Sequence, residues 1–296
     1  MLKNIFIKSN KKIIERPLQT NLSNFAVHIV EHCNLNCRFC DHFAPLAEKE
    51  FADIKVFEKD FARLSELLNA KIESIGLMGG EALLHPQLND FLHVARKYFP
   101  ETKRIRLVTN GILLLKQTED FWEACRDNDI IIVNTKYPIK LDFDKIKKVA
   151  ENHDVKFEYY DNSGGVLKTS YHIPLDLEGK QNAHKNFIKC HHAVKCCFLS
   201  SGRLFTCTVA PNIRHFNKFF NKNIPLTNED SIDIYKAKNL DEIMSFLCRP
   251  IPFCKYCYVE KRTYENEWQT SKKDIKEWSI EQPVYNIKKI IHDAFT

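Results

Sequence analysis

Residues 25–40 read FAVHIVEHCNLNCRFC, an apolar run followed at once by three closely spaced thiols. The apolar run at residues 25–30 predicts a β-strand, and Cys33, Cys37 and Cys40 lie on the loop that leaves it. A C-x3-C-x2-C triplet is compact enough to wrap one corner of a metal cluster. Because a [4Fe-4S] cluster normally takes four thiolates, a triplet predicts an iron that stays open to a small molecule.

Further along the chain, up to residue 160, short β-rich runs alternate with helical patterns, which predicts βα units and a parallel sheet. The predicted strands cover residues 25–30, 72–77, 104–109, 129–133 and 155–160, and the predicted helices cover residues 57–68, 86–98, 118–128 and 142–152. Parallel α/β barrels place their chemistry on loops at the C-terminal ends of the strands, which is where the three thiols fall. We therefore predict an α/β fold, a partial (β/α)6 TIM-like barrel with a small C-terminal cysteine-rich auxiliary-cluster domain.

The order of these features predicts four segments. They are an N-terminal extension at residues 1–24, the partial barrel at 25–185, an auxiliary-cluster region at 186–270 and a C-terminal helix at 271–296. A turn signal at residues 161–165 marks the end of the barrel pattern. The cysteine-rich region has few clear periodicities, so we expect metal to organise it. An amphipathic run at residues 284–295 predicts the C-terminal helix.

The composition is that of a globular protein, since 296 residues with 44% hydrophobic content can bury a sizeable core. No apolar run is long enough for a membrane span or a signal peptide, so we expect a cytoplasmic protein with no membrane partner. Eleven cysteines in such a chain favour metal binding or catalysis over disulfides, because the cytosol keeps thiols reduced. The net charge of +6 comes with no nucleic-acid-binding motif, so we expect no nucleic-acid partner.

The cysteine triplet resembles the signature of the radical S-adenosylmethionine (radical SAM) enzymes, in which an aromatic residue precedes the last cysteine, as Phe39 does here. The resemblance implies that Cys33, Cys37 and Cys40 bind a [4Fe-4S] cluster whose open iron chelates S-adenosylmethionine. An electron from the cluster then cleaves the sulfonium, and the resulting 5'-deoxyadenosyl radical takes a hydrogen atom from the substrate. The electron is expected from a reductase, flavodoxin or ferredoxin partner.

Two further turns follow predicted strands in the same order as in that family. Gly79, Gly80 and Glu81 resemble its glycine-glycine-glutamate motif, which implies contacts of their backbone and carboxylate with the cofactor's amino group. Glycine also lets a charged ligand come close to the backbone. Asn110, in the turn at residues 109–111, is the second predicted cofactor contact. The alternative for both is an ordinary turn, because Asn-Gly is common at tight turns.

The later cysteines resemble the auxiliary-cluster extension of SPASM and Twitch radical enzymes. Gly202 precedes Cys207 by five positions, which matches the G-x4-C part of that pattern, and a C-x2-C pair follows at Cys254 and Cys257. The resemblance implies one auxiliary [4Fe-4S] cluster on Cys190, Cys207, Cys254 and Cys257. Since no cysteine follows Cys257, the shorter Twitch form fits better, with a layout similar to the aminocyclitol dehydrogenase of antibiotic biosynthesis.

Three alternatives stay open for this second group of thiols. Cys196 also lies before Gly202 and can replace Cys190 as the first ligand. Cys197 and Cys248 are spare thiols, which as buried residues behave as small hydrophobes. A structural zinc on the same four cysteines is the main rival to a cluster.

These features predict an oxidoreductase that removes hydrogen from a sugar, aminosugar or cyclitol and oxidises an alcohol to a ketone. A carbohydrate epimerase is the first alternative, with Cys196, Cys197 or Cys248 returning the hydrogen atom. A maturase of ribosomally made peptides and a zinc-binding protein without enzymatic activity are the others. The polar candidates for a general acid or base are Lys136, Tyr137, Arg203 and His215, and none of them is assigned as catalytic.

Overall fold

The computed structural model of the protein describes residues 19–160 and 167–280. Within them the strands are β1 (Asn24–Val30), β2 (Ser74–Gly79), β3 (Arg104–Thr109), β4 (Ile130–Asn134), β5 (Lys156–Tyr159), β6 (Thr169–His172), β7 (Phe198–Ser200), β8 (Arg203–Phe205), β9 (Ile232–Asp233) and β10 (Thr263–Glu267). The α-helices are α1 (Ile54–Leu68), α2 (Leu88–Tyr98), α3 (Glu119–Asp127), α4 (Phe143–Asn152), α5 (Ala183–Lys189), α6 (Val209–Phe220) and α7 (Leu240–Leu247).

One sheet of eight strands carries the fold, in the order β5-β4-β3-β2-β1-β7-β8-β9. Strands β1 to β5 pair in parallel, and β7 pairs in parallel with β1, whereas β8 and β9 are antiparallel. This mostly parallel sheet with its helices confirms the predicted α/β class and fits a partial barrel. The sixth parallel strand lies beside β1 and not beside β5, an arrangement that periodicity along the chain does not reveal.

Helix α1 covers the predicted helix at residues 57–68 and buries an apolar stripe formed by Phe57, Phe61, Leu64 and Leu68. Asp53 caps its N-terminus by accepting hydrogen bonds from the backbone of Lys55 and Val56. The rings of Phe57 and Phe61 stack at a centroid distance of 4.0 Å. The stripe therefore faces the sheet, as the i, i+4 spacing predicts.

The cysteine-rich part of the chain shares the core of the sheet. Phe198 and Leu199 of β7 and Phe216 of α6 belong to the same buried apolar cluster as Phe25 of β1. Apolar packing therefore attaches the cysteine-rich part to the main core, and metal binding would add to that attachment. The helix α5 spans the predicted boundary near residue 185, and that boundary stays a prediction.

Several predicted features lie outside the described residues. These are the turn signal at 161–165, the amphipathic run at 284–295 and most of the N-terminal extension. In the described ranges, none of the helices is both long enough and apolar enough to cross a membrane.

Candidate functional site

The three thiols of the first group face one cavity. Cys33, Cys37 and Cys40 lie on the loop after β1, at the C-terminal edge of the parallel strands, and line a cavity of about 900 Å³ together with Gly79 and Gly80. The cavity continues along the inner face of β1, β2 and β3. The cysteine triplet and the glycine-glycine motif lie on separate loops and therefore meet at one end of the same cavity.

Burial controls the protonation of these thiols. Burial raises the pKa of Cys33 to about 12, and it also raises the pKa of Cys37 and of Cys40. The charge of Cys37 raises the pKa of Cys33 and of Cys40 further. A thiol must lose its proton to bind metal. The positive charge of bound iron is what can offset the cost of three thiolates so close together in a buried place.

A distant segment fixes the shape of this loop. The backbone N–H of Arg38 donates to the carbonyl of Gln269 at 2.9 Å, and the Arg38 guanidinium donates to the Gln269 side chain at 2.7 Å. Ser271 N–H donates to the carbonyl of Asn36 at 2.7 Å, and the Trp278 indole donates to the carbonyl of Cys40 at 2.8 Å. The sequence offers no periodic signal for this bracing.

The two glycines have a structural reason beyond ligand access. A Cβ atom on Gly80 would lie 2.2 Å from the carbonyl oxygen of His32, and one on Gly79 would lie 2.1 Å from that of Val30. The backbone N–H of Gly80 donates to the carbonyl of Val30 at 2.9 Å. Glycine at both positions therefore lets the loop after β2 lie directly against the cysteine loop.

Glu81 is placed behind the cavity wall. It is 1% exposed, and its carboxylate accepts hydrogen bonds from the Thr109 hydroxyl at 2.7 Å, the Asn110 backbone at 2.8 Å and the Leu83 backbone at 3.0 Å. Burial raises its pKa, and these donors partly offset the rise. The carboxylate thus joins the loops after β2 and β3. Its contact with a cofactor stays a prediction.

Asn110 is tied to the first cysteine. Its side-chain nitrogen donates to the Asn34 side-chain oxygen at 2.7 Å and lies 3.8 Å from the Cys33 sulfur, while its oxygen accepts from the Ile112 backbone at 3.0 Å. Asn110 is 5% exposed and lines the cavity. Its polar atoms position the loop, and its predicted contact with a cofactor stays a prediction.

A buried network behind the loop was missed by sequence reasoning. Glu31 accepts from His215 at 2.8 Å and contacts His28 at 3.2 Å, and His28 contacts His42 at 3.2 Å. Burial would raise the pKa of Glu31, but the bonds to His215 and His28 hold it far below its ordinary value. His215, a candidate acid or base from the sequence, therefore fixes α6 to the end of β1.

The four predicted auxiliary ligands lie together. Cys257 interacts electrostatically with Cys190, Cys207 and Cys254, and Cys207 interacts with Cys190 and Cys254. The effect of one charge on the pKa of another group weakens with distance, so these thiols are near neighbours. These thiols are distributed over residues 190–257 of the sequence, and the fold makes them neighbours.

Helix α5 organises the C-x2-C turn. Cys190 follows the end of α5, and Asn186 on the same helix donates from its side-chain amide to the carbonyl oxygens of Cys254, at 2.9 Å, and Cys257. Asn186 is 4% exposed. One helix thus carries a candidate ligand and the residue that holds the turn of two others. No cysteine pattern points to Asn186.

Gly202 makes the turn that leads to Cys207. It lies between the antiparallel strands β7 and β8 with φ of +72°, a conformation that favours glycine. Its N–H donates to the Asp60 carboxylate at 2.7 Å, and the Tyr235 hydroxyl donates to the same carboxylate at 2.5 Å. The turn before the second ligand is therefore anchored to α1.

The remaining thiols differ in their surroundings. Cys196 lines the large cavity, and burial raises its pKa to about 12. Cys197 is fully buried and donates to the carbonyl of Val194 at 3.3 Å, and Cys248 packs against the apolar residues near Cys190.

Of the polar candidates from the sequence, Tyr137 lines the cavity, and burial raises its pKa well above the ordinary value. Arg203 is held by the Ser231 hydroxyl at 2.6 Å and by backbone carbonyls, and the Lys136 ammonium lies 3.9 Å from the centre of the Tyr159 ring. Among the four candidates, Tyr137 is thus the one placed at the cavity.

Both groups of thiols offer the residue type that an iron-sulfur cluster takes as its ligand. In the described parts of the chain, no three His, Cys, Asp or Glu side chains meet as ligands of one metal ion do. A [4Fe-4S] cluster instead takes its thiolates at different irons, so that the ligands surround it. The cysteine triplet and the four later cysteines stay predicted ligands of two clusters.

Part of the chain matches a known protein family. Residues 27–157 match the family described as the Radical SAM superfamily. The chain is similar to the GTP 3',8-cyclase of Campylobacter fetus subsp. fetus (strain 82-40), 25% identical over 126 residues, which are 43% of this chain and 39% of that protein. It is also similar to Molybdenum cofactor biosynthesis protein 1 of Mus musculus, 32% identical over 124 residues, which are 41% of this chain and 19% of the mouse protein. The match spans less than half the length of either relative.

Two solved structures resemble the chain as a whole or in part. The crystal structure of BtrN in complex with AdoMet and 2-DOIA has a TM-score of 0.49 and 18% identity, covering 80% of this chain and 93% of that chain. Native anSMEcpe with bound AdoMet has a TM-score of 0.37 and 20% identity, covering 46% of this chain and 43% of that chain. S-adenosylmethionine and a [4Fe-4S] cluster, the cofactors predicted from the cysteine loop, are those of the matched superfamily, and the later cysteine-rich region fits an auxiliary cluster.

Proposed function

Because the chain carries a radical SAM domain over residues 27–157, we propose that it oxidises an alcohol to a ketone on a sugar, aminosugar or cyclitol. When bound, the cofactors supply the chemistry: S-adenosylmethionine on the first cluster yields the radical that removes a hydrogen atom from the substrate, and an auxiliary cluster accepts the electron that must also leave. The protein's part is to hold these groups, position the substrate and exclude water.

One observation carries this proposal. Cys33, Cys37 and Cys40 open into a cavity of about 900 Å³ that has room for a cofactor and a small substrate together. We assign these three thiols to the first cluster, and the backbone of Gly79 and Gly80 to the cofactor. Asn110 and Glu81 keep the surrounding loops in register through their hydrogen bonds.

The second group of thiols supports oxidation. We assign Cys190, Cys207, Cys254 and Cys257 to one auxiliary cluster, since their thiols interact with one another and Cys196 faces the large cavity. Beyond the hydrogen atom, oxidation of an alcohol releases one proton, which goes to solvent or a basic group, and one electron, for which a second cluster would provide a place. The first electron comes from an external reductase, flavodoxin or ferredoxin.

Carbohydrate epimerisation is the second candidate, and the position of Cys196 favours it. An epimerase must return a hydrogen atom to the substrate carbon, and a protonated thiol at the cavity wall can do so. The thiyl radical that remains would take one electron from the auxiliary cluster and one proton from solvent. Burial holds the pKa of Cys196 at about 12, so the thiol keeps its proton near neutral pH.

The product separates the two reactions. Anaerobically reconstituted protein, with S-adenosylmethionine and reductant in deuterated water, is incubated with a panel of sugars, aminosugars, cyclitols and nucleotide-linked sugars. A ketone without deuterium from the solvent supports oxidation. An inverted carbon that carries deuterium, lost in Cys196→Ser and kept in Cys125→Ala, supports epimerisation. Zinc in place of iron and sulfide in purified protein would contradict both.

A further inference from the structure

The inner face of the sheet carries an arginine over two very small residues. Phe198, Ala26, Gly76 and Arg106 are consecutive neighbours across β7, β1, β2 and β3. An added Cβ on Gly76 would lie 3.5 Å from the Cβ of Ala26 and 3.9 Å from Nη2 of Arg106. The guanidinium therefore extends over the surface that these small residues leave free.

Arg106 lacks the ion pair that satisfies its neighbour. Arg104 on the same strand binds the Glu158 carboxylate with two hydrogen bonds, of 3.1 and 2.6 Å. The Nε atom of Arg106 is buried and has no hydrogen-bond partner among the described residues. Burial, and then the charge of Arg104, lower the pKa of Arg106. A guanidinium cannot release its proton in a protein, so leaving this buried donor without an acceptor costs free energy.

The carboxylate whose charge reaches Arg106 is that of Glu158, and both of its oxygens already accept hydrogen bonds from Arg104. Lys168 and Lys195 also line the cavity. The acidic residues that line it are Asp41, whose carboxylate contacts His42 at 3.7 Å and His192 at 3.8 Å, and Glu73 at the opposite end of β2. The wall near Arg106 therefore has an excess of positive charge, which favours an anion.

Arg106 lies on the cavity wall at some distance from the cysteine loop. It precedes Asn110 by four residues, about 13 Å along an extended strand, and Asn110 lies 3.8 Å from the Cys33 sulfur. Both residues line the same cavity. A small molecule can thus present one carbon to the cysteine end while a group at its other end reaches the guanidinium.

We propose that Arg106 binds an anionic group of the substrate, a phosphate or a carboxylate, and that Lys195 adds charge to this subsite. The planar guanidinium suits either group because it can donate two parallel hydrogen bonds. The inference deepens the proposed function, on which it rests: among sugars, aminosugars and cyclitols, it selects those that carry a phosphate, a nucleotide or a carboxylate.

Direct binding tests this subsite without turnover. Titration calorimetry on the anaerobically reconstituted full chain uses three probes: pyrophosphate, D-glucuronate and neutral D-glucose. The proteins are wild type, Arg106→Gln, Arg106→Lys and the control Arg126→Gln, which removes a partly exposed arginine paired with Asp127. Cluster absorption and circular dichroism show that each variant is folded and loaded.

We expect at least one anion to bind wild type and Arg126→Gln equally, and to bind Arg106→Gln at least tenfold more weakly. Arg106→Lys should retain part of the affinity, since a lysine supplies the charge without the planar pair of donors. Binding of pyrophosphate would show that the subsite takes a phosphate, and binding of D-glucuronate would show that it takes a carboxylate. Equal binding to wild type and Arg106→Gln, or binding of neither anion, would overturn the subsite. Because S-adenosylmethionine cleavage is measured separately, loss of that activity with anion binding intact would count against the proposed function alone.

Discussion

The side-chain amide of Asn110 donates to the side-chain oxygen of Asn34 at 2.7 Å. The bond links the loop after β3 to the loop that carries the first thiols, across 76 positions of sequence. The same amide nitrogen lies 3.8 Å from the Cys33 sulfur. The geometry of the candidate cluster site therefore depends on a residue outside the cysteine motif.

Asn110→Ala should destabilise the protein by about 1–3 kcal/mol, because the backbone N–H of Ile112 and the side chain of Asn34 lose their buried partner. The free energy of unfolding in urea measures the loss. Asn89→Ala is the matched control: its amide makes an exposed bond of 3.3 Å to the carbonyl of Asp120, so its effect should stay within about 0.5 kcal/mol. Similar losses in both variants would contradict this role.

Gly80→Ala should prevent normal loading of the first cluster. A methyl group there would meet the backbone of His32 and Cys33 at 2.2 to 2.8 Å, so the two loops must separate. Iron content after anaerobic reconstitution is the measurement. Gly76→Ala places its methyl at an ordinary 3.5 Å from Ala26 and should load iron as the wild type does. Normal iron content in Gly80→Ala would show that the loops can separate without loss of the site.

Cys254→Ala should halve the iron content, from about eight to about four irons per chain, because one of two clusters loses a ligand. Cys125, which is buried on α3 and is in neither predicted ligand set, provides the control: Cys125→Ala should keep the wild-type iron content. Iron and acid-labile sulfide are measured on the same samples. An unchanged iron content in Cys254→Ala, or zinc in the wild type, would argue against an auxiliary cluster.

His172 should make stability depend on pH. Its ring stacks on Phe39 at 4.3 Å, and burial, followed by the charge of Arg38, lowers its pKa from 6.5 to about 4. Between these values the unfolded chain binds a proton that the native protein does not. The free energy of unfolding should therefore fall as the pH drops from 6.5 towards 4.

His172→Gln should show a shallower fall over the same range, measured by urea unfolding at several pH values. The exposed His184 gives the control His184→Gln, which should follow the wild-type profile. Parallel profiles for wild type and His172→Gln would mean that His172 does not titrate differently in the folded and unfolded states.

Local patterns in the sequence were enough to predict the parallel sheet and α1. The strand β3 falls on the predicted residues 104–109, and Phe57 and Phe61 face the core. The spacing of apolar residues within a segment is enough to predict a single strand or the buried side of a single helix. The predicted strand at 72–77 instead runs over Ser74–Gly79, because the pairing of Val30 with Gly79 extends it into the glycine motif.

Contacts between distant segments could not be predicted in this way. The bracing of Arg38 by Gln269 and the bond between Glu31 and His215 join residues 231 and 184 positions apart. Arg106 reads as an ordinary charged residue on a strand until the sheet places Gly76 and Ala26 beside it. Such relationships depend on which elements become neighbours, and a single sequence carries no local signal for that.

Cleavage of S-adenosylmethionine tests the central claim most directly. Anaerobically reconstituted wild-type protein, given S-adenosylmethionine and dithionite, should produce 5'-deoxyadenosine and methionine, detected by mass spectrometry. Alanine in place of Cys33, Cys37 or Cys40 should abolish both products. If the wild-type protein carries a full complement of iron and sulfide and yields no 5'-deoxyadenosine, the radical mechanism proposed for this chain is wrong.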